Sequence, residues 1–218
     1  MKITRRSKME TRTEKPIKTI KLKNGNVLEI HQDFNSSCDS REWDNLGIMV
    51  MFHKRYNLPN ELKLNDDNFN SWDDLKKTIE KEHKGIYIMP ILMYDHSGIS
   101  LSTRREYPFN DRWDAGQVGF IFTTKERIKE MGIIIKENSK KAMDEAINNV
   151  YSQLEGEIKL YNQDLNGEKY GFIEYKINKC NLGHEHKENV NSCWGFYDIK
   201  DIEEEYKDQI ETEIKEAV

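Results

Sequence analysis

Two hydrophobic periods divide this chain. Residues 17–23 and 26–31 are short alternating runs joined by Asn24-Gly25, the turn pair that best tolerates positive φ, and they predict a β-hairpin. Residues 48–53 form an apolar strand. Ser71-Trp72-Asp73-Asp74 has capping-box form and predicts a helix running to about residue 83. Residues 85–94 (GIYIMPILMY) are the most apolar run and read as a buried strand, with Pro90 placing it at an edge or a bulge. Residues 99–103 turn back as a hairpin partner, and 118–122 form another strand. Thr123-x-x-Glu126 is a second capping box, starting a short helix that ends near Gly132, with a short strand at 133–135. Met143, Ala146, Ile147, Val150, Tyr151 and Leu154 recur at helical spacing after Ser139, and Gly156 is read as the helix end. Residues 170–177 and 192–197 read as strands joined by a loop. Ile199, Ile202, Tyr206, Ile210 and Ile214 form an apolar stripe on an acidic C-terminal helix.

One phrase is written twice. WDNLGIMVMF at 43–52 aligns without gaps on WDAGQVGFIF at 113–122, matching Trp43 to Trp113, Asp44 to Asp114, Val50 to Phe120 and Phe52 to Phe122. Each copy is a polar Trp-Asp turn leading into a strand. The expected class is α+β: an antiparallel sheet with two related Trp-Asp-strand units and helices packed on one side. The expected organisation is a flexible basic lead over 1–16 and a single α+β domain over 17–218 that ends in the acidic helix.

Composition sharpens this picture. The 218 residues suit one domain, and the 4 Trp, 10 Tyr and 8 Phe are enough to build a core despite a hydrophobic content of 36%. No apolar run approaches the ~18 residues of a transmembrane helix, and the basic N-terminus lacks the apolar core of a secretory signal. Three cysteines, Cys38, Cys180 and Cys193, are an odd number that fits a reducing cytoplasm better than a disulfide framework. Charge is polarised: residues 1–24 carry nine Lys/Arg against two Glu, and residues 198–218 carry nine Asp/Glu against three Lys. The net charge of −5 argues against general nucleic-acid binding.

Four groups of residues have chemical potential. Cys193 and His96 are the residue types of a thiolate nucleophile and its base, although a packed strand cysteine is ordinarily inert. Asp95, His96 and Ser97 cannot form a triad among themselves, because adjacent side chains diverge. Cys180, His184, His186 and Cys193 are four zinc-type ligands within fourteen residues, in a spacing that matches no common finger; no cofactor is otherwise implied. Asp44 and Asp114 are either a carboxylate pair or turn caps beside the core-filling Trp43 and Trp113, with Gln117 in the second turn. Trp194 is expected to be buried with the other two. Arg104, Arg105, Tyr107 and Arg112 interleave cations with aromatics and are the expected partner-binding loop, the one place where nucleic acid could be contacted directly.

The blocks REWDNLGIMVMFHKRY (41–56), YDHSG (94–98), WDAGQVGFIF (113–122) and SCWGFY (192–197) resemble, in the same order, a family of proteins encoded by bacteriophages, plasmids and prophages. Ala115 stands where that family usually has Ser, and Asp198 where it has Gly. The resemblance implies a mobile-element context and a role against host defences. The expected function is a phage-type accessory protein that inhibits a defence system, such as CRISPR, by binding its protein or ribonucleoprotein effector in the host cytoplasm. The alternative is a small cysteine/histidine-dependent hydrolase, or a metal-dependent enzyme, acting on a defence component or nucleic acid.

Overall fold

The computed structural model describes residues 15–34, 36, 39–96, 98–103, 115–135 and 139–214. The described residues form nine strands and four helices, an α+β fold with two antiparallel sheets. The chain divides into two compact units, one made of residues 1–36 and 168–218 and the other of residues 37–167.

The first unit carries a five-stranded sheet. Strands β1 (Lys18–Leu22) and β2 (Val27–Gln32) are the hairpin expected around Asn24-Gly25, and Gly25 takes a φ of 83°. Strands β7 (Tyr170–Lys179), β8 (Glu185–Phe196) and β9 (Ile210–Ile214) complete the order β8-β7-β2-β1-β9. Residues 178–191, expected mostly as a loop, instead extend the β7–β8 hairpin. Ile20, Leu22, Leu28, Ile30 and Phe172 pack against Ile202 and Tyr206 of helix α4 (Ile199–Tyr206). The helix expected to run to Ile214 stops at Tyr206. Ile210-Glu-Thr-Glu-Ile214 has period two as well as helical spacing, and β1 offers a strand edge to pair with.

The second unit is built on the order β3-β6-β4-β5, with β3 at Ile48–Met51, β4 at Ile86–Asp95, β5 at Ile99–Ser102 and β6 at Ala115–Thr123. Helix α1 spans Trp72–Lys81, α2 Lys125–Glu130 and α3 Lys140–Asn166. Val50, Phe120 and Phe122 pack with Leu75 and Ile79 of α1. Met49, Met51 and Ile121 pack with Val150, Leu154, Ile158 and Tyr161 of α3. Helices therefore cover both faces here, which is why the β3 run is apolar at every position instead of alternating.

Both copies of the repeat enter strands, and they are neighbours. Val50 is equivalent to Phe120 in the repeat and is also its cross-strand partner. Ile48 pairs with Phe122, and Phe52 N–H donates to Val118 O at 2.8 Å, so a local twofold axis passes through the Val50–Phe120 pair. Pro90 pairs with Phe120 on one side only, because β5 covers β4 from Leu92 onward; the missing N–H thus faces no strand.

Several boundaries differ from expectation. Thr124, not Thr123, caps α2, with its hydroxyl accepting from Arg127 N–H; Thr123 is the buried last residue of β6. Residues 133–135 form no strand. Gly156 does not end α3, which runs on to Gly167 at a φ of 64°. A mid-helix glycine costs about 1 kcal/mol. Burying Ile158 and Tyr161 beyond it gains more, at roughly 1.5–3 kcal/mol for each large apolar side chain.

Two consequences are measurable. A Cβ on Gly119 would lie 2.0 Å from Val50 O and 2.7 Å from Met51 Cα, backbone atoms that cannot rotate away, whereas a Cβ on Gly116 meets nothing. Gly119→Ala should cost at least about 3 kcal/mol, which lowers Tm by roughly 6–12 °C at this chain length; Gly116→Ala should leave Tm within about 2 °C. The second concerns alkaline stability. Burial pushes the Tyr161 and Tyr206 phenols from 10.0 up to about 12, with nearby Asp39 and Asp164 adding to the effect at Tyr161. Unfolded, these groups ionise near 10; folded, near 12. Their stabilisation is whole below about pH 10 and lost as pH rises through about 12. Urea midpoints should fall over that window, and less steeply in Tyr161→Phe and Tyr206→Phe.

Candidate functional site

The first motif block is held by a buried carboxylate. Asp39 caps a single 3-10 turn, Ser40–Glu42, accepting from Arg41 N–H at 2.8 Å. Arg41 turns inward: its guanidinium reaches Glu157 of α3 at 2.9 Å, Glu61 at 2.6 Å and Gly47 O at 2.7 Å. Glu157 also accepts from the N–H groups of Leu46, at 2.8 Å, and Gly47, at 3.1 Å. The Arg41 and Glu157 side chains are only 7% and 8% exposed. Gly47 is required at this point, because a Cβ there would meet Glu157 Oε2 at 2.8 Å and Ile121 Cδ1 at 2.6 Å. Ser40 N–H donates to Asp164 Oδ2 at 2.8 Å, and Asn45 Nδ2 ties back to the carbonyls of Ser40 and Trp43, both at 2.9 Å. This clasp fixes where β3 begins.

Where β3 ends, the chain forms one wall of an open groove of about 800 Å³, lined by residues 52–55, by Asp66, Phe69, Asn70 and Ser71 of the following loop, by Trp72 and Leu75 of α1, and by Gln117 and Val118 of β6. Phe52 stacks on Phe69 at 6.3 Å and 27°, and the Trp72 ring meets Phe120 edge-on at 6.3 Å. The Ser71 hydroxyl is committed to the α1 cap, accepting from Asp74 N–H. Register between β4 and β6 slips at Val118, so the bulge sits in the groove wall.

The groove's basic end is braced by the YDHSG block. Arg55 pairs with Asp95 at 2.5 Å, and the Tyr56 hydroxyl reaches both Asp95 carboxylate oxygens at 3.1 Å. The His53 ring stacks on Tyr56 at 4.9 Å, and its Nδ1 accepts from Arg55 N–H at 3.2 Å. The hydrogen bond to Asp95, followed by partial burial, raises the Tyr56 phenol above its ordinary range and keeps it a donor. Among the described residues Lys54 makes no ion pair or hydrogen bond. The signal for this site was present in the sequence as two motif blocks and as three consecutive basic residues after an apolar strand. Only folding brings residues 53–56 and 95 together.

The sequence-derived candidates fare differently. Cys193 is exposed on β8, with its Sγ 4.0 Å from Trp194 O, and not tightly packed as expected. His96 lies in the other unit, in the turn after β4, stacked on Tyr94 at 5.9 Å. The four zinc-type ligands do not converge: Cys180 and His184 sit in the β7–β8 turn, while His186 and Cys193 are seven residues apart on one strand, roughly 20 Å at the strand rise. Among the described residues no group of three or more His, Cys, Asp or Glu is placed to hold a metal. Asp44 is exposed, and the turn bonds expected of it are made by Asp39 and Asn45. Trp43 and Trp194, expected to be buried, are each 45% exposed. Leu46 supplies the core contact of the first block, and Trp194 lies across Gly171, its cross-strand partner. Gln117 belongs to β6 and donates to Gly119 O at 3.2 Å, not to a tight turn. Arg104, Arg105, Tyr107, Arg112, Trp113, Asp114 and Cys38 lie outside the described residues, as do residues 1–14 of the basic lead. Compared with family models, curated proteins and solved structures, the chain matches none. No helix among the described residues is long and apolar enough to cross a membrane.

Glu157 can be tested directly. Glu157→Ala leaves Arg41 with Glu61 as its remaining carboxylate and the Leu46 and Gly47 N–H groups without their acceptor, and should cost about 3 kcal/mol in urea denaturation. Replacing a simple buried ion pair by apolar residues is often neutral. Here the double variant Arg41→Met/Glu157→Leu should stay at least about 2 kcal/mol below wild type, since the Leu46 and Gly47 N–H groups lose their acceptor. Wild-type stability in the double variant would reduce the clasp to an ordinary ion pair.

Proposed function

We propose that this protein is an accessory protein of a mobile genetic element that blocks a host defence system, of which CRISPR is the leading example, by binding its effector complex. The observation that carries the reading is the groove at the end of β3: aromatic rings with a basic rim, lined in part by two of the motif blocks, with Arg55 and Tyr56 of the rim bonded to Asp95 of a third. Such a surface suits recognition, with apolar area for affinity and charges for orientation. The motif blocks supply the mobile-element context. The oppositely charged ends of the chain favour a fast, salt-sensitive encounter with a charged partner.

Expression in a bacterium with an active CRISPR system should restore plaques of a targeted phage. Cys193→Ser should restore them equally well, and Lys54→Glu should lower rescue at least tenfold with Tm unchanged. In a purified effector assay, inhibition should saturate near one protein per complex. Complete inhibition at a small fraction of that ratio, abolished by Cys193→Ser, would replace the binding reading with an enzymatic one.

A further inference from the structure

We infer that the groove of the second unit binds an unpaired nucleotide, its base against Phe52, Phe69 and Trp72 and its phosphate at Lys54 and Arg55. The inference rests on the binding reading above and names the chemistry of the bound group. Phe52, Phe69 and Trp72 line the groove and are each only partly buried, so rings that pack on one side against the core leave part of their surface open to a concavity. Every base has a π-face, and stacking on such rings is the usual means by which proteins hold unpaired bases. The side-chain amides of Asn70 and Gln117 stand on the walls, where they can meet the polar edge of a base.

The charges favour the same ligand. In a chain of net charge −5, Lys54 and Arg55 place two cationic groups side by side at one end of the groove, the second of them paired with Asp95. Lys54 is exposed and unpaired among the described residues, and Arg55, though anchored to Asp95, leaves its side chain 70% exposed. Both can donate charge-assisted hydrogen bonds to a phosphate. Asp66, the carboxylate among the lining residues, repels a phosphate and so orients it toward Lys54 and Arg55. An extended peptide is the less suitable occupant. Its main chain would need a free strand edge, and the outer edge of β3 is already used: Met51 N–H donates to Pro59 O at 2.9 Å, Glu61 N–H donates to Met49 O at 3.0 Å, and Val50 bridges Asn60.

The test titrates the full chain with fluorescein-labelled dT12 and rU12, read by anisotropy, and with dTMP, read by quenching of tryptophan fluorescence. Binding of either oligonucleotide, weakened about tenfold or more in Lys54→Glu with the salt slope reduced by ~0.7, upholds the site and assigns the strand as the source of the nucleotide. Quenching by dTMP that is lost in Trp72→Phe, without oligonucleotide binding, upholds the same chemistry and assigns a free nucleotide. No response to any of the three probes, or equal binding by wild type and Lys54→Glu, overturns it. Groove-dependent capture of a defence protein without nucleotide binding also overturns it, in favour of a peptide. Wild type that binds dT12 yet rescues no plaques sinks the inhibitor reading and leaves the nucleotide site standing; rescue without nucleotide binding does the reverse.

Discussion

The second unit depends on one carboxylate. Glu157 sits on the solvent-excluded side of α3, where an unpaired charge is prohibitive, and its surroundings supply what makes it tolerable: a guanidinium and two backbone N–H donors. All three come from residues 41–47. The interaction therefore links a loop to a helix more than a hundred positions later, and closing that distance carries an entropic cost that grows only slowly with length. An apolar contact at the same place would add stability but not direction. The carboxylate accepts from specific donors, so it sets the angle at which the chain leaves the 3-10 turn and enters β3.

From that starting point the repeat becomes intelligible. Two copies of a Trp-Asp-strand phrase need not occupy separate places; here they lie side by side, antiparallel, about an axis through Val50 and Phe120. A local twofold brings like residues together, and Ile48, Val50, Phe52, Phe120 and Phe122 all join the cluster that α1 closes. The opposite face gathers Met49, Met51 and Ile121 against α3. The symmetry is broken where it matters for the surface. Gly119 permits the close backbone approach of β3, and one residue later along the groove wall the ladder to β4 slips by a position.

What could be read from the sequence was what local physics decides. Asn24-Gly25 names its own turn, Ser71 names its helix start, and the apolar runs at 48–52 and 86–93 name buried strands. The misreadings share a cause, since in each a local signal lost to a distant partner. Gly156 would end an isolated helix, but Ile158 and Tyr161 have a core to enter. The stripe through Ile210 and Ile214 has helical spacing, but β1 had an edge to offer. Trp43 and Trp194 border strands yet remain half exposed: Leu46 enters the core beside Trp43, and Trp194 lies over Gly171 and beside His31 on the sheet face opposite Phe172 and α4. The candidate site was the least legible part. Its wall combines residues 52–55, 66, 69–72, 75 and 117–118, and a triplet of basic residues read alone is simply a solvated turn.

The same reasoning explains why the groove lies where it does. Side chains of β3 and of β6 from Phe120 onward are committed to two cores. Only beyond Met51, where the ladder stops and the bulge turns the partner strand, can aromatic side chains leave the core partly exposed. A loop in that position would ordinarily be too loose to hold a binding geometry. Here it is pinned at both ends: Phe52 is bonded to Val118, and Arg55 and Tyr56 are bonded to Asp95. Asp95 closes β4, so the basic rim is referenced to the central strand of the sheet. The groove's Arg55 is thus held in place by Asp95 before any ligand arrives, and such preorganisation lowers the ordering cost that binding otherwise incurs.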